Sequence, residues 1–196
     1  MADDITIRLA ADLDDAFPAL VRLHQDAVFA TALRLTGNWH DAEEVAQEAF
    51  LRAHRNLVGW PPERVRELRP RAWLCTIAVN LARNRARDAG RRPAAGDGLD
   101  EAATAASGAD GPEALALRGD DRRLLAEALH RLPAAQREAV VLRHVAGLPY
   151  AEIAEALGTP VGTVKAHVHR GIRVLASLLG EARPATAVKP ALVEVS

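Results

Sequence analysis

Residues 132–175, LPAAQREAVVLRHVAGLPYAEIAEALGTPVGTVKAHVHRGIRVL, leave few folds open. They read as a helix, a short break and two helices meeting at a tight turn, the last with a cationic outer face. The supporting helix spans Tyr150–Leu157 with Ile153, Ala154 and Leu157 inward. Gly158 supplies a left-handed turn residue, Thr159 an N-cap and Pro160 a first helical residue. Val161, Val164, Val168, Ile172 and Leu175 then share one stripe. The opposite face carries Thr163, Ala166, His169, Arg170 and Arg173, flanked by Lys165 and His167. This layout matches a helix-turn-helix, which places its second helix in the DNA major groove. Lysine and arginine there can donate to guanine O6 and N7, and the Ala166 methyl can meet a thymine methyl. His167 and His169 do not suggest a metal site, because residues two apart on a helix diverge.

Upstream, the apolar pattern is also helical. Phe17, Leu20, Leu23, Ala27, Ala30 and Leu33 mark a first helix that Gly37 can close. Asp41 is read as the N-cap of a second, with Val45, Ala46, Ala49, Phe50, Ala53 and Leu57 as its buried stripe. Gly59-Trp60-Pro61-Pro62 breaks it, and the charged residues 63–69 fit a loop or a short helix. Pro70 suits the first turn of a third helix, whose inner face is Trp73, Leu74, Ile77, Ala78 and Leu81; Asn80, Arg83, Asn84 and Arg87 fall mainly on the other side. Residues 91–112, RRPAAGDGLDEAATAASGADGP, are too small, polar and glycine-rich to order themselves. The expectation is an all-α chain of two small helical domains, 13–90 and 113–179, joined by a flexible linker at 91–112, with a loose tail at 180–196. The second domain holds the helix-turn-helix.

The net charge of −1 hides strong segregation. Residues 1–50 carry −7, 51–92 carry +8, 93–130 carry −5 and 131–196 carry +3. Basic blocks suit phosphate, and acidic ones suit a basic protein partner. The single cysteine, Cys75, excludes an internal disulfide and reads as a buried structural thiol. The acidic N-terminus lacks signal-peptide layout, and the longest uncharged run, Ala72–Ala82, is too short to cross a bilayer. A cytoplasmic protein without membrane insertion is expected. The sequence contains no phosphate-cradling glycine loop, zinc-protease helix, nucleophile elbow or cysteine-rich metal site, so neither catalytic residues nor a cofactor are expected.

Three segments in this order resemble the extracytoplasmic-function (ECF) class of bacterial RNA polymerase sigma factors. LTGNWHDAEEVAQEAFLRAHRNL and RAWLCTIAVNLARNRAR are similar to that family's region 2, and LPAAQREAVVLRHVAGLPYAEIAEALGTPVGTVKAHVHR to its region 4. The resemblance implies a non-enzymatic factor that binds core RNA polymerase, recognises −35 and −10 promoter elements and promotes melting. Asp41, Glu44, Gln47 and Glu48 would dock on the polymerase. Trp60, Asn80, Arg83, Asn84 and Arg87 would meet the −10 element. Thr163, Lys165, Ala166, His167, His169, Arg170 and Arg173 would meet the −35 element. An anti-sigma factor is a further partner the resemblance implies. The chain departs from the family where Ala166 replaces a common serine, His167 a common arginine and Gly171-Ile172 a usual basic pair, and the loop Leu57–Pro70 looks long. A free-standing helix-turn-helix repressor or activator would account for residues 132–175 equally well, but not for the acidic helix, the basic third helix or the linker.

Overall fold

The computed structural model describes residues 2–89 and 123–182. The expected linker at 91–112, residues 113–122 and the tail beyond 182 lie outside the described residues. Every element among those described is a helix: α1 (Ala2–Ala11), α2 (Leu13–Thr36), α3 (Trp39–Val58), α4 (Pro62–Arg66), α5 (Pro70–Ala89), α6 (123–131), α7 (Ala134–His144), α8 (Tyr150–Leu157) and α9 (Val161–Ala182). The all-α fold is as expected. Two helices had no clear signal in the sequence. The helix α1 has only Ile5, Thr6 and Leu9 to bury, too short a stripe to reveal itself, and it is held by packing on α2 and α4. The charged stretch 63–69 divides into α4, pinned by buried Val65 and ending at Arg66, and a turn over 67–69.

Local chemistry sets most helix ends. Gly37 closes α2 in the left-handed region at φ 82°, its N–H donating to the Leu33 carbonyl. The α3 cap is Asn38 rather than Asp41: Asn38 Oδ1 accepts from the Asp41 N–H at 2.7 Å. Asp41 therefore sits inside the first turn, where its carboxylate accepts from Asn38 Nδ2. The helix α5 begins at Pro70 as the sequence suggests.

The buried face of α2 is rotated from the apolar pattern. Ala16, Leu20, His24, Val28, Thr31, Ala32 and Leu35 are inside, whereas Leu23 is about half exposed. Reading only apolar letters misplaced that stripe, because two polar residues belong to it. Thr31 is satisfied by donating to the Ala27 carbonyl at 2.7 Å and lies against Cys75 Sγ. Cys75 is fully buried, and burial pushes its thiol pKa up, as expected of a structural cysteine.

Two apolar clusters build the molecule. One joins α1, α2, α3, α4 and the Leu74–Ala78–Leu81 face of α5. The other joins α6, α7, α8 and α9 to Leu35 of α2 and to Cys75, Val79 and Ala82 of α5. The helix α5 is thus apolar on two sides, and the C-terminal helices pack directly on the N-terminal ones.

Within α9 the inward positions are Val164, Val168, Gly171 and Leu175, while Val161 and Ile172 are exposed. The expected stripe holds at its centre and fails at those two positions because α9 lies close to α7 at Gly171. A Cβ at Gly171 would come within 2.6 Å of Val140 Cγ2. Gly171→Ala is therefore expected to lower stability by about 1–3 kcal/mol in urea unfolding. Gly180→Ala on the same helix meets nothing within 4 Å and should be neutral or stabilising.

Burial lowers the His24 pKa, helped by the charge of Arg71, and burial lowers that of His130, helped by Arg137. A base with a depressed folded pKa binds its proton more readily when unfolded, so acid favours unfolding. Stability should be full above the ordinary imidazole range and decline as pH falls below about 6.5 toward the lowered folded values. Thermal melts at pH 7.5 and pH 5 should show this decline, and His24→Leu should flatten it.

Candidate nucleic-acid interface

The C-terminal motif has the geometry of its sequence signature. At the end of α8, Gly158 takes φ 62° and ψ 36°, and its N–H reaches the Ala154 and Glu155 carbonyls. The Thr159 N–H also donates to the Ala154 carbonyl, at 3.0 Å. The helix α9 starts at Val161, and the Pro160 carbonyl accepts from the Val164 N–H at 3.0 Å. Pro160 rather than Thr159 thus holds the capping position. The Thr159 hydroxyl turns back instead to the Leu157 carbonyl at 3.2 Å.

Burying Val164, Val168 and Leu175 turns the other side of α9 to solvent. Thr163, Lys165, His169, Arg170 and Arg173 are exposed, and Ala166 and His167 are half-buried. The structure therefore gathers the seven expected residues along one accessible side. Lys165 Nζ lies 5.8 Å from the centre of the Tyr150 ring, and Arg143 stacks nearer, at 4.8 Å. Arg143 also donates to the Leu148 carbonyl at 2.9 Å, tying the α7–α8 turn to the start of α8. Neither Arg143 nor Tyr150 was expected to matter, because their pairing needs that turn to be folded.

The second group is spread along α5 and the α3–α4 turn. Trp60 lies between α3 and α4 and packs on Trp73, ring centres 5.0 Å apart. The Arg64 guanidinium covers the Trp60 ring at 3.9 Å. These residues, with Glu67, Leu68, Arg69, Ala72 and Thr76, form one wall of a cavity of about 510 Å³ whose other wall is Glu152, Glu155 and Ala156 of α8. Asn80 lies two helical turns beyond Trp73, roughly 10 Å along the axis. Arg83 donates to Asn80 Oδ1 at 3.5 Å, and Arg87 hydrogen-bonds Asn84. Trp60, packed on Trp73, thus lies near the start of α5 and Arg87 near its end, with Asn80 and Arg83 between them. Arg64 and Arg69 escaped notice in the sequence because 63–69 had no firm secondary structure.

The acidic residues of α3 are partly engaged by the protein itself. Arg85 of α5 donates from Nε to Asp41 Oδ1 at 2.8 Å and from Nη2 to Glu44. Glu48 accepts from Arg52 at 2.7 Å, a bond that holds its carboxyl below the usual carboxylate range, and from Arg55 at 3.4 Å. Gln47 is exposed. All four still reach solvent, though three share their charge with arginines. Among the described residues there is no group of three or more His, Cys, Asp or Glu able to hold a metal ion, and no helix long and apolar enough to cross a membrane.

Comparison with known proteins places this arrangement. Residues 20–92 match the Sigma-70 region 2 family and residues 122–175 the Sigma-70 region 4 family. The chain is 32% identical over 169 residues to the ECF RNA polymerase sigma factor SigW of Bacillus subtilis, covering 82% of this chain and 87% of that one. The chain belongs to the ECF class of sigma factors. It is also 37% identical over 172 residues to the ECF sigma factor SigE of Mycolicibacterium smegmatis, covering 86% of this chain but only 63% of that longer protein. Among solved structures it is similar to the sigma factor RpoE of Bartonella quintana, crystallised with the anti-sigma factor NepR, at 25% identity and a TM-score of 0.66, covering 85% of this chain and 98% of that one. This sigma factor recognises promoters and acts in transcription initiation.

Arg170 and Lys165 offer the most direct check of the α9 face. If they bind phosphate, Arg170→Ala and Lys165→Ala should each weaken duplex binding across sequences and reduce the salt slope of log affinity by about one. A base contact would instead relax preference at one position of the site, read by competition with substituted duplexes.

Proposed function

We propose that this chain is a cytoplasmic, non-enzymatic initiation factor that divides promoter recognition between two groups of residues. Thr163, Lys165, Ala166, His167, His169, Arg170 and Arg173 read the −35 duplex from the major groove. Trp60, Asn80, Arg83, Asn84 and Arg87 engage the −10 element, where captured single-stranded bases stabilise the melted form. Asp41, Glu44, Gln47 and Glu48 face the basic surface of core RNA polymerase, which must compete with Arg52, Arg55 and Arg85 for the carboxylates of Asp41, Glu44 and Glu48. The protein itself breaks and forms no covalent bond; that chemistry belongs to the polymerase. The domains, 13–90 (to which α1 adds its packing) and 113–179, are joined in one chain, so both engage DNA at once at high effective concentration. An anti-sigma factor is the natural antagonist, since RpoE of Bartonella quintana is seen with one.

The observation that carries this reading is the presence, in one chain, of an exposed cationic recognition helix and of a separate aromatic and arginine-rich wall built from α4, α5 and the turns beside them. A free-standing repressor needs only the first. Adding the purified protein to sigma-free core polymerase with fragmented genomic DNA should yield discrete transcript starts sharing a −35 and −10 pair. Specific duplex binding without any new start would overturn the reading in favour of a repressor or activator. Trp60→Ala should reduce open-complex formation, read by permanganate footprinting, by about 5- to 100-fold if one base stacks there, while leaving duplex −35 affinity unchanged.

A further inference from the structure

The short helix α4 carries Arg64, whose guanidinium rests 3.9 Å from the centre of the Trp60 ring. So short a segment cannot hold a helix by itself in water, where even about 12–15 residues are marginal. Its hydrogen bonds are long: Val65 N–H to the Pro61 carbonyl and Glu67 N–H to the Glu63 carbonyl, both at 3.3 Å. Its capping residue, Pro61, offers no side-chain acceptor. What remains is packing, and Val65 is the buried residue of α4. The helix on which α4 chiefly packs is α1. Ile5 and Leu9 are buried in one apolar cluster with Val65 and Leu57, and Trp60, Leu68 and Trp73 pack against it. The direction of α1 is set in turn by its corner with α2. There the Asp12 N–H donates to the Arg8 carbonyl at 2.9 Å, and the Asp12 carboxylate accepts from the Asp15 N–H at 3.1 Å. The helix α1 lies ahead of residues 20–92, the span of the region 2 match.

A guanidinium resting on an indole presents its N–H donors as a rigid fork beside an aromatic surface. A base drawn out of the strand toward Trp60 meets that fork. A base edge with two adjacent acceptors, such as guanine O6 and N7, fits it best. The choice of base therefore depends on where Arg64 stands over Trp60. We propose that α1 is a positioning helix for −10 recognition: Ile5 and Leu9 hold Val65, and through it α4 holds Arg64 on Trp60. The inference rests on the −10 role proposed for Trp60. Arg64 is then a specificity-determining residue, and Ile5 and Leu9 act on base choice without touching DNA. The Trp60 ring has a second partner in Trp73 of α5, at 5.0 Å between centres. The stack is thus assembled from two directions, by α5 on its own and by α4 with α1 behind it. Loosening α1 leaves Trp60 packed on Trp73 but frees Arg64, so base discrimination is lost before base stacking.

The test uses the full chain with core RNA polymerase and a promoter mapped from its transcript starts. The promoter is made in versions carrying each of the four bases at each non-template −10 position, and the yield of abortive products is measured. At the position that meets Trp60, Arg64→Ala should narrow the ratio between best and worst base by about 5-fold or more. The double variant Ile5→Ala/Leu9→Ala should narrow the same ratio at the same position. Adding Arg64→Ala to that double variant should change little further, because both act through one contact. Ile7→Ala, at an exposed position of the same helix, should keep the wild-type ratios. A merely structural role for α1 would lower every promoter version by one common factor. That outcome, wild-type ratios in Arg64→Ala, or a full-sized Arg64→Ala effect in the double-variant background overturns the proposal. If the double variant melts below the assay temperature, Leu9→Ala alone decides by the same criteria. Failure of the underlying −10 reading shows separately: Trp60→Ala would then leave open-complex formation unchanged.

Discussion

The structure depends on α5 having two apolar sides. A helix apolar around most of its circumference must be covered on opposite faces to be stable in water. Leu74, Ala78 and Leu81 are covered by the N-terminal helices, and Cys75, Val79 and Ala82 complete the cluster of the C-terminal ones. Between Arg71 and Arg83 the helix carries no charge, and most of its polar residues gather at its far end. Asn80, Arg83, Asn84 and Arg87 are positioned by that crowding as much as by any preference of their own.

Charge segregation takes its meaning from the same packing. The −7 and +8 blocks of the first 92 residues face each other where Arg85 meets Asp41 and Glu44. The C-terminal half supplies Glu138 and Glu152 to Arg83 and Arg69. Acidic and basic stretches that look in the sequence like separate advertisements for protein and nucleic acid are, in the folded chain, partly each other's partners. Exposed ion pairs of this kind are weak and readily exchanged, which suits surfaces that must give up one partner for another. The Glu138 pair is the exception, because an acid so enclosed loses much when its arginine leaves without replacement.

The helix-turn-helix was the most legible part of the molecule. Its turn is set by residues adjacent in sequence, a glycine that takes positive φ and a proline that cannot continue the preceding helix, so local rules suffice. Even there, packing moved details: Pro160 took the capping position from Thr159, and Gly171 joined the interior in place of Ile172 because α7 approaches it closely. On α2, the apolar letters pointed to a face that includes Leu23, whereas His24 and Thr31 are the ones inside. The Thr31 hydroxyl can be buried because the Ala27 carbonyl satisfies it, and a pattern of apolar letters carries no trace of that.

The sequence by itself determined the helical class, the breaks at Gly37, Gly59 and Gly158, the cationic side of α9 and the family, because these follow from local stereochemistry, helical periodicity and motif order. Tertiary structure alone decided that α1 and α4 exist as ordered helices, that Arg85 pairs with Asp41 and Glu44 of α3, and that Glu138 and Glu152 reach Arg83 and Arg69. The ion pairs join residues between 41 and 83 positions apart. Charges so distant in the chain become neighbours only when apolar burial brings their helices together, and the strength of that burial lies in the shape of the assembled core rather than in any single segment.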